Sequence, residues 1–275
     1  MIPPHEREAL VVLAEQLRSL HHGERPLILP NAWDIASAMA VERAGAQAIA
    51  TTSSGVSGSL GYPDGEAIPP GDMLLAILRI AAAVRLPVTA DLEAGYGLPA
   101  EELVDRLLHS GAVGLNLEDT DRSDAKPRLR TVQDQAERIA AVRDAAHAAR
   151  VPIVLNARID VFLRRPGDLK ARVGEAIERG NAYLEAGADC VYPIGLVDAG
   201  SIARMVERVG GPVNVLLTAG APSLRRLRTM GVRRVSVGEG LWRQAMDGTE
   251  YLARRLMAGD ATAFTDPVKA RRRTR

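Results

Sequence analysis

Apolar residues follow two alternating patterns along most of the chain. Short apolar runs are separated by stretches in which apolar residues recur every three or four positions, as in amphipathic helices. The first helix is predicted over residues 6–20, with one apolar face made of Leu10, Leu13, Leu17 and Leu20. Eight strands are predicted after it, at Leu27–Leu29, Ala48–Thr51, Val88–Ala90, Val113–Leu117, Ile153–Ala157, Cys190–Tyr192, Val213–Leu217 and Val235–Val237.

Helical patterns lie between most of these strands. They are predicted at Ile35–Ala44, Gly71–Val84, Ala100–Ser110, Val132–Ala149, Ala171–Ala186, Ser201–Val209 and Ser223–Met230, with a last helix from about Leu241 towards Met257. Alternating strands and helices imply parallel pairing, and uninterrupted apolar strands are typical of a sheet buried on both faces. The prediction is a (β/α)₈ TIM barrel with an N-terminal helix and a C-terminal helical extension. The alternative, a doubly wound open sheet, lacks its Gly-x-Gly-x-x-Gly signature after the first strand.

Composition limits the domain organisation and the partners. The chain of 275 residues, 47% hydrophobic and 25% charged, is predicted to be one barrel domain over 1–275 with a core at about 26–257. A net charge of +1 gives no reason to expect nucleic acid or membrane partners, and no apolar run is long enough to span a membrane. The single cysteine fits a reducing cytoplasm. Residues 258–275 are interpreted as a flexible basic tail rather than a nucleic-acid patch.

Two acids end the third strand, in the stretch Pro87–Gly97. Side chains alternate faces along a strand, so Asp91 and Glu93 are predicted to point the same way. Adjacent carboxylates repel each other as they lose water, and a divalent cation would offset that repulsion. The alternative is an acid pair that caps the following helix.

Polar residues also end the next two strands. Asn116 and Glu118 share one face of the fourth strand, and Asn156 and Arg158 share one face of the fifth. Chemistry in a parallel barrel collects at these strand ends. The five histidines lie in the N-terminal region or on predicted helices, and Cys190 starts a strand at the opposite end, in the core. Oxygen-only ligands favour Mg²⁺, or Mn²⁺, over zinc.

The loop Thr51–Asp64 after the second strand is rich in serine and glycine. Its N–H and hydroxyl groups could cradle a carboxylate or a phosphate, and the alternative is an ordinary surface loop.

These motifs together resemble the isocitrate lyase/phosphoenolpyruvate mutase superfamily over roughly residues 26–245. The matching stretches are Ser53–Val56, Gly58–Asp64, Asp91–Gly97, Leu117–Asp119 and Ala157–Arg158. The resemblance implies a Mg²⁺-dependent barrel enzyme acting on 2-oxo acids or their enolates.

The resemblance also assigns roles to individual residues. It implies metal ligands, direct or through water, at Asp64, Asp91, Glu93 and Glu118, and a substrate-anion loop at Ser53, Ser54 and Gly55. Arg158 would clamp the substrate, with Asn116 and Asn156 as further substrate-binding candidates. Glu93 stands where the family commonly has an aspartate, so the ion is expected to shift or to be held through water.

The segment Asp119–Arg130 departs from the family pattern. It lacks the Lys-Lys/Arg-Cys-Gly-His loop of the isocitrate and methylisocitrate lyases. We interpret this polar segment as a mobile lid, whose long cations Lys126 and Arg128 would reach an anionic substrate or donate a proton. Tyr96 is the next candidate proton donor. The alternative is a solvated connector.

The preferred reaction is therefore C–C cleavage of a methylisocitrate- or alkylmalate-like acid without the lyase cysteine. Phosphonomutase chemistry is the first alternative, and a metabolite-binding pseudoenzyme is the second. A homo-dimer or homo-tetramer is also expected, because family members commonly exchange C-terminal helices. The alternative is that Trp242 packs on its own barrel.

Overall fold

Strands and helices alternate through the structure, a computed structural model that describes residues 3–124 and 126–265. The strands are β1 (Leu27–Leu29), β2 (Asn31–Ala32), β3 (Ile49–Thr51), β4 (Val88–Asp91), β5 (Gly114–Glu118), β6 (Thr120–Asp121), β7 (Arg128–Leu129), β8 (Val154–Ile159), β9 (Cys190–Pro193), β10 (Asn214–Leu216) and β11 (Arg234–Ser236). The helices are α1 (Pro4–Leu20), α2 (Ile35–Arg43), α3 (Ser53–Ser59), α4 (Pro70–Ala82), α5 (Ala100–His109), α6 (Val132–Ala149), α7 (Val161–Arg164), α8 (Leu169–Glu185), α9 (Ala199–Arg208), α10 (Leu224–Thr229), α11 (Gly240–Met257) and α12 (Thr262–Thr265).

The parallel strands close into a barrel. Strands β2, β3, β4, β5, β8 and β9 pair in that order, and β1, β11 and β10 pair side by side. A parallel bridge between Val191 and Val213 joins the two groups on one side, while β1 runs almost directly into β2 on the other. The register Leu27 to Arg234 makes the first and last strands neighbours. The predicted (β/α)₈ TIM barrel is confirmed.

The predicted strands and the main predicted helices are present, with ends within about two residues, the usual uncertainty of such boundaries. The prediction missed α3, which forms where a loop was expected. The side chain of Thr52 caps this helix by accepting the Gly55 N–H. The small residues of α3 leave room for Trp242, since an added Cβ at Gly58 would come within 2.6 Å of the indole ring. Trp242 therefore packs on its own barrel.

Helix α1 covers the amino-terminal end of the barrel. Its buried face consists of Leu10, Ala14 and Leu17. The Leu17 side chain lies against the start of β5, where a Cβ added at Gly114 would meet it at 2.9 Å. The opposite, carboxyl-terminal end of the strands is left open for the site.

The C-terminal region differs from the rest of the fold. Helix α11 contains no buried residue. The positions 266–275, which hold Lys269 and the arginines of the predicted basic tail, lie outside the described residues, and the single-domain organisation stays a prediction. No helix in the described ranges has the length and apolar character needed to cross a membrane.

Candidate active site

A cavity of about 250 Å³ opens among the carboxyl ends of the strands. Its lining includes Ser53, Asp64, Asp91, Asn116 and Arg158, which come from separate parts of the barrel rim. The structure thus brings most of the predicted site residues to one place.

Asp91, the last residue of β4, is held from both sides. Its Oδ2 accepts the Ser53 N–H at 3.1 Å and the Ser53 hydroxyl at 2.8 Å, while its Oδ1 accepts the Asn116 side-chain amide at 3.2 Å. The Ser53 hydroxyl also lies 3.5 Å from Asp64 Oδ1. Burial and the charge of Asp91 raise the pKa of Asp64. Two aspartates therefore lie close together, with Asp91 partly buried and Asp64 more exposed to solvent.

Glu93 reaches the site without the strand alternation that was predicted for it. Strand β4 ends at Asp91, and Glu93 follows in the left-handed region with φ of +50°. Burial, together with the charges of Asp91 and Asp64, raises the pKa of Glu93 to about 7. Tyr96, with φ of +56°, donates its hydroxyl to Glu93 Oε1 at 3.3 Å. Two non-glycine residues in this conformation mark a locally strained turn, which is common beside functional sites.

Glu118 and Arg158 face each other on adjacent strands, in register between β5 and β8. Arg158 Nη1 lies 2.9 Å from Glu118 Oε2, and Arg158 Nε donates to Asp160 Oδ1 at 2.7 Å. Burial raises the pKa of Glu118 although the arginine charge opposes this. Burial acts to lower the pKa of Arg158, but the charges of Asp160 and Glu118 outweigh it and hold that pKa above its ordinary value.

Arg122 supplies a second guanidinium, and the sequence prediction overlooked it. Its Nη2 lies 2.8 Å from Glu118 Oε1 and 3.6 Å from Glu93 Oε2, and its Nε donates to Glu118 Oε1 at 3.0 Å. The one available signal in the sequence was the spacing of four residues from Glu118, because nothing else marks Arg122 among the charges of its segment.

Lys126 and Arg128 occupy the exposed part of that segment instead. Strands β6 and β7 pair as an antiparallel hairpin, which we call the β6–β7 hairpin. Lys126 is exposed, and the Arg128 side chain is 68% exposed and lies 3.5 Å from Asp121. Within the described ranges neither cation contacts a site carboxylate. Arg122 is the cation of this segment that does.

A buried polar network fastens the base of the hairpin to the barrel. Asp119 Oδ1 accepts the Asp160 N–H at 2.8 Å, and its Oδ2 accepts the Tyr183 hydroxyl at 2.9 Å and Arg179 Nη1 at 3.1 Å. Arg179 also donates to the Arg130 carbonyl at 3.0 Å. Burial and the charge of Asp160 raise the pKa of Asp119 to about 6. The network connects the carboxylate that holds Arg158 to both ends of the hairpin.

The residues of the predicted anion loop are already engaged within the chain. Ser54 donates to Glu239 Oε2 at 2.7 Å, and the Gly55 N–H bonds Thr52 Oγ1 at 3.4 Å. Glu239 lines the cavity and was not predicted. A ligand anion at this loop would have to displace or share these contacts.

Three further residues lie in or near the cavity or were considered as candidates from the sequence. Asn156 is fully buried below the cavity and donates to Asn116 Oδ1 at 2.8 Å, so it supports a lining residue instead of lining the cavity itself. Tyr192 lines the cavity but was not predicted. Cys190 is fully buried, and burial raises the pKa of its thiol to about 12, as fits its prediction as a core residue.

A TIM barrel with clustered carboxylates and two guanidiniums at its strand ends has the architecture of a barrel enzyme. Residues 17–257 match the phosphoenolpyruvate phosphomutase family, and the chain belongs to that family. It is an enzyme of the isocitrate lyase/phosphoenolpyruvate mutase superfamily, as the motif resemblance implied. That superfamily comprises Mg²⁺-dependent lyases and mutases.

Individual relatives agree with this assignment. An uncharacterized protein of Mycobacterium tuberculosis strain H37Rv is 33% identical over 243 residues, 88% of each chain. The 2-methylisocitrate lyase of Escherichia coli K12 is 30% identical over 203 residues, 71% of this chain and 66% of the lyase. A crystal structure from Burkholderia cenocepacia J2315, provisionally described as a lyase/mutase, has 38% identity and a TM-score of 0.85 and covers 94% of this chain and 92% of that one.

Replacing Arg122 should destabilise the metal-free protein in a pH-dependent way. Arg122→Gln leaves Glu93 and Glu118 short of a positive charge, which we expect to lower the free energy of unfolding by about 1–3 kcal/mol at pH 9. The loss should shrink towards pH 6, because Glu93, with a folded pKa of about 7, then takes up a proton and needs no partner. Urea unfolding at both pH values measures this.

Arg128→Gln is the matched control, because that side chain is 68% exposed. Its effect should stay within about 0.5 kcal/mol at both pH values. Equal losses for the two variants would contradict the role assigned to Arg122.

Proposed function

We propose that the protein is a Mg²⁺-dependent enzyme that binds a 2-oxo acid, or the enolate derived from it, in the cavity at the strand ends. The observation that carries this proposal is the cluster of carboxylates at the strand ends, with raised pKa values at Asp64 and Glu93, beside the Arg158 guanidinium. Such a cluster favours a divalent cation, and the guanidinium suits a substrate carboxylate.

The donor set fits Mg²⁺, with Mn²⁺ as an alternative. In the part of the chain that the structure describes, no three carboxylate, histidine or cysteine groups form a ready-made metal cage. Mg²⁺ does not require one, because it keeps several waters and takes one or two protein carboxylates. We infer that Asp64 and Asp91 would hold the ion directly and that Glu93 and Glu118 would act through water. Glu118 Oε2 lies 2.9 Å from Arg158 Nη1 but accepts no aligned hydrogen bond from a described residue, so it retains capacity to accept one from such a water.

Mg²⁺ should stabilise the native protein. We expect millimolar MgCl₂ to raise the melting temperature of the metal-free protein, because a ligand that binds only the folded state shifts unfolding by mass action. Asp91→Asn should remove most of that rise. Differential scanning fluorimetry with MgCl₂, MnCl₂ and EDTA measures it, and a wild-type protein whose midpoint does not respond to either metal would speak strongly against the site.

Different residues of the chain would bind different groups of the substrate. Arg158 would bind a carboxylate, and the Ser53–Gly55 stretch would bind a second anionic group once its internal contacts open. The ion, when bound, supplies Lewis-acid stabilisation of an enolate oxygen. In the preferred reaction a C–C bond breaks and the electron pair passes into the enolate of one carboxylate product. The hydroxyl gives up its proton to one of the carboxylates at the strand ends, and its carbon becomes the carbonyl of a 2-oxo acid or glyoxylate.

The enolate then needs a proton from the protein. The lyase cysteine loop is absent from Asp119–Arg130, and Lys126 is exposed at the hairpin. Tyr96 remains a candidate donor through its contact with Glu93. We add Tyr192, because its phenol lines the cavity and burial raises the pKa of that phenol, which keeps it protonated at neutral pH.

Phosphonomutase chemistry on phosphonopyruvate or carboxyphosphonoenolpyruvate is the second candidate, and the family match supports it. Incubation with substituted malates and isocitrates, and separately with phosphonates, should show which substrates are consumed by ¹H and ³¹P NMR. We expect 2-oxo acid and carboxylate products from the first group, only when Mg²⁺ is present. New ³¹P signals with no turnover of the malates would favour the mutase. Inertness towards both groups would favour a metabolite-binding pseudoenzyme.

We also propose that the chain forms a homo-dimer or homo-tetramer. Helix α11 buries none of its residues, and its apolar side chains Leu241, Met246 and Leu256 are exposed to solvent. A groove of about 610 Å³ between α2 and α4, lined in part by Ile35 and Leu75, offers an apolar surface of matching character. Exposed apolar side chains that cluster in this way occur at subunit interfaces. A cytoplasmic location likewise remains a prediction.

Light scattering at micromolar concentration should give at least twice the chain mass of 29.4 kDa. Leu75→Asp should shift the protein towards the monomer, because it places a charge in the groove, whereas Asp105→Asn on the exposed face of α5 should leave the mass unchanged. A single wild-type species of 29.4 kDa would end the proposal.

A further inference from the structure

Arg234 is an arginine without a carboxylate partner inside the barrel. It lies on β11, is 1% exposed, and forms no ion pair within the described ranges. A buried guanidinium without an opposite charge is costly, because it gives up its hydration for neutral partners alone. Such a residue calls for a reason beyond packing.

The guanidinium orients the side-chain amide of Asn116. Arg234 Nη2 donates to Asn116 Oδ1 at 3.3 Å, and Asn156 Nδ2 donates to the same oxygen at 2.8 Å. Arginine cannot accept a hydrogen bond, so this contact fixes which end of the Asn116 amide is the oxygen. The NH₂ group of Asn116 must then face Asp91, and it donates to Asp91 Oδ1 at 3.2 Å.

The other side of Arg234 is held by helix α1 and the turn that follows it. His21 Nδ1 lies 2.8 Å from the Leu17 carbonyl, so this nitrogen donates, and His21 Nε2 must accept from Arg234 Nη1 at 3.5 Å. Burial and the charge of Arg234 lower the pKa of His21 to about 3, which keeps the ring neutral as this arrangement requires. A continuous chain of contacts thus runs from the amino-terminal end of the barrel to Asp91.

We propose that Arg234 is a positioning residue for the metal site, acting through Asn116 to fix the orientation of the Asp91 carboxylate. This inference rests on the proposed Mg²⁺ site. The proposal predicts the direction in which metal affinity changes when Arg234 is replaced. A positive charge that acted only through space would weaken the binding of a cation, so its removal would strengthen binding. A group that orients the ligand has the opposite effect.

Arg234→Met tests the proposal with a neutral side chain of similar length. Isothermal titration of the metal-free protein with MgCl₂ or MnCl₂ should show affinity reduced by about 10–100-fold, as for other residues that orient metal ligands. The melting temperature of the metal-free variant should not fall, because replacing a buried charge by an apolar group is often neutral or stabilising. Arg233→Met, at the adjacent exposed position, should leave the metal affinity unchanged, because that side chain donates to the Gly23 carbonyl at 2.7 Å and is not among the described residues that line the cavity.

Two further variants keep the test decisive. Arg234→Lys retains a donor and should recover part of the lost affinity, which also covers the case in which Arg234→Met does not fold. Asn116→Leu should weaken binding similarly, and combining it with Arg234→Met should add little further loss, because both act on one path. Unchanged or tighter binding in Arg234→Met, or fully additive losses, would overturn the proposal.

Crystal structures of the metal-free wild type and Arg234→Met separate this inference from the proposed function. We expect the Asn116 amide to turn and the 3.2 Å contact with Asp91 to be lost in the variant. If the wild type binds no metal, the proposed function fails, and the structures still decide whether Arg234 positions Asp91. An unmoved Asp91 carboxylate would refute the positioning role.

Discussion

Buried negative charge at one end of the barrel is the constraint on which the rest of the site depends. Asp64, Asp91, Glu93 and Glu118 converge there. Glu93 and Glu118 are buried and Asp91 is partly buried, so an unpaired charge on any of these three would oppose folding. Two arginines offset part of this negative charge. Arg158 lies on a barrel strand and Arg122 in the β6–β7 hairpin, and both form ion pairs with Glu118.

This division of charge separates two pairs of carboxylates. Glu93 and Glu118 are matched by guanidiniums, whereas Asp64 and Asp91 are met mainly by neutral donors such as the Ser53 hydroxyl. The negative charge of the aspartates is therefore less neutralised than that of the glutamates, which favours the aspartates as the direct ligands of a cation. The polar network around Asp119 has a different task, since it keeps Arg158 and the hairpin in a fixed relation through Asp160.

The sequence was sufficient for the barrel because its strands and helices carry strong, regular apolar patterns. It also placed Asp91, Glu118 and Arg158 correctly at the strand ends, where alternation along a strand is a reliable guide. It failed where orientation depends on local backbone or on distant partners. Glu93 reaches the site because its own backbone adopts the left-handed conformation. Helix α3 forms despite its glycines, with the Thr52 side chain as its N-cap. Arg122 was not singled out because, apart from its spacing from Glu118, nothing marks it among the charges of its segment. Arg234 was not singled out because its partners are neutral and lie on other segments.

The pairing of β1 with β11 has a consequence for how the chain acquires this structure. Leu27 contacts a strand that begins at Arg234, so the ring cannot close until nearly the whole chain has left the ribosome. Until then β1 lacks the neighbouring strand that it pairs with. Contacts between residues so far apart form slowly and leave intermediates that are prone to aggregate. Truncations that remove β11 should therefore yield insoluble chains instead of smaller folded barrels.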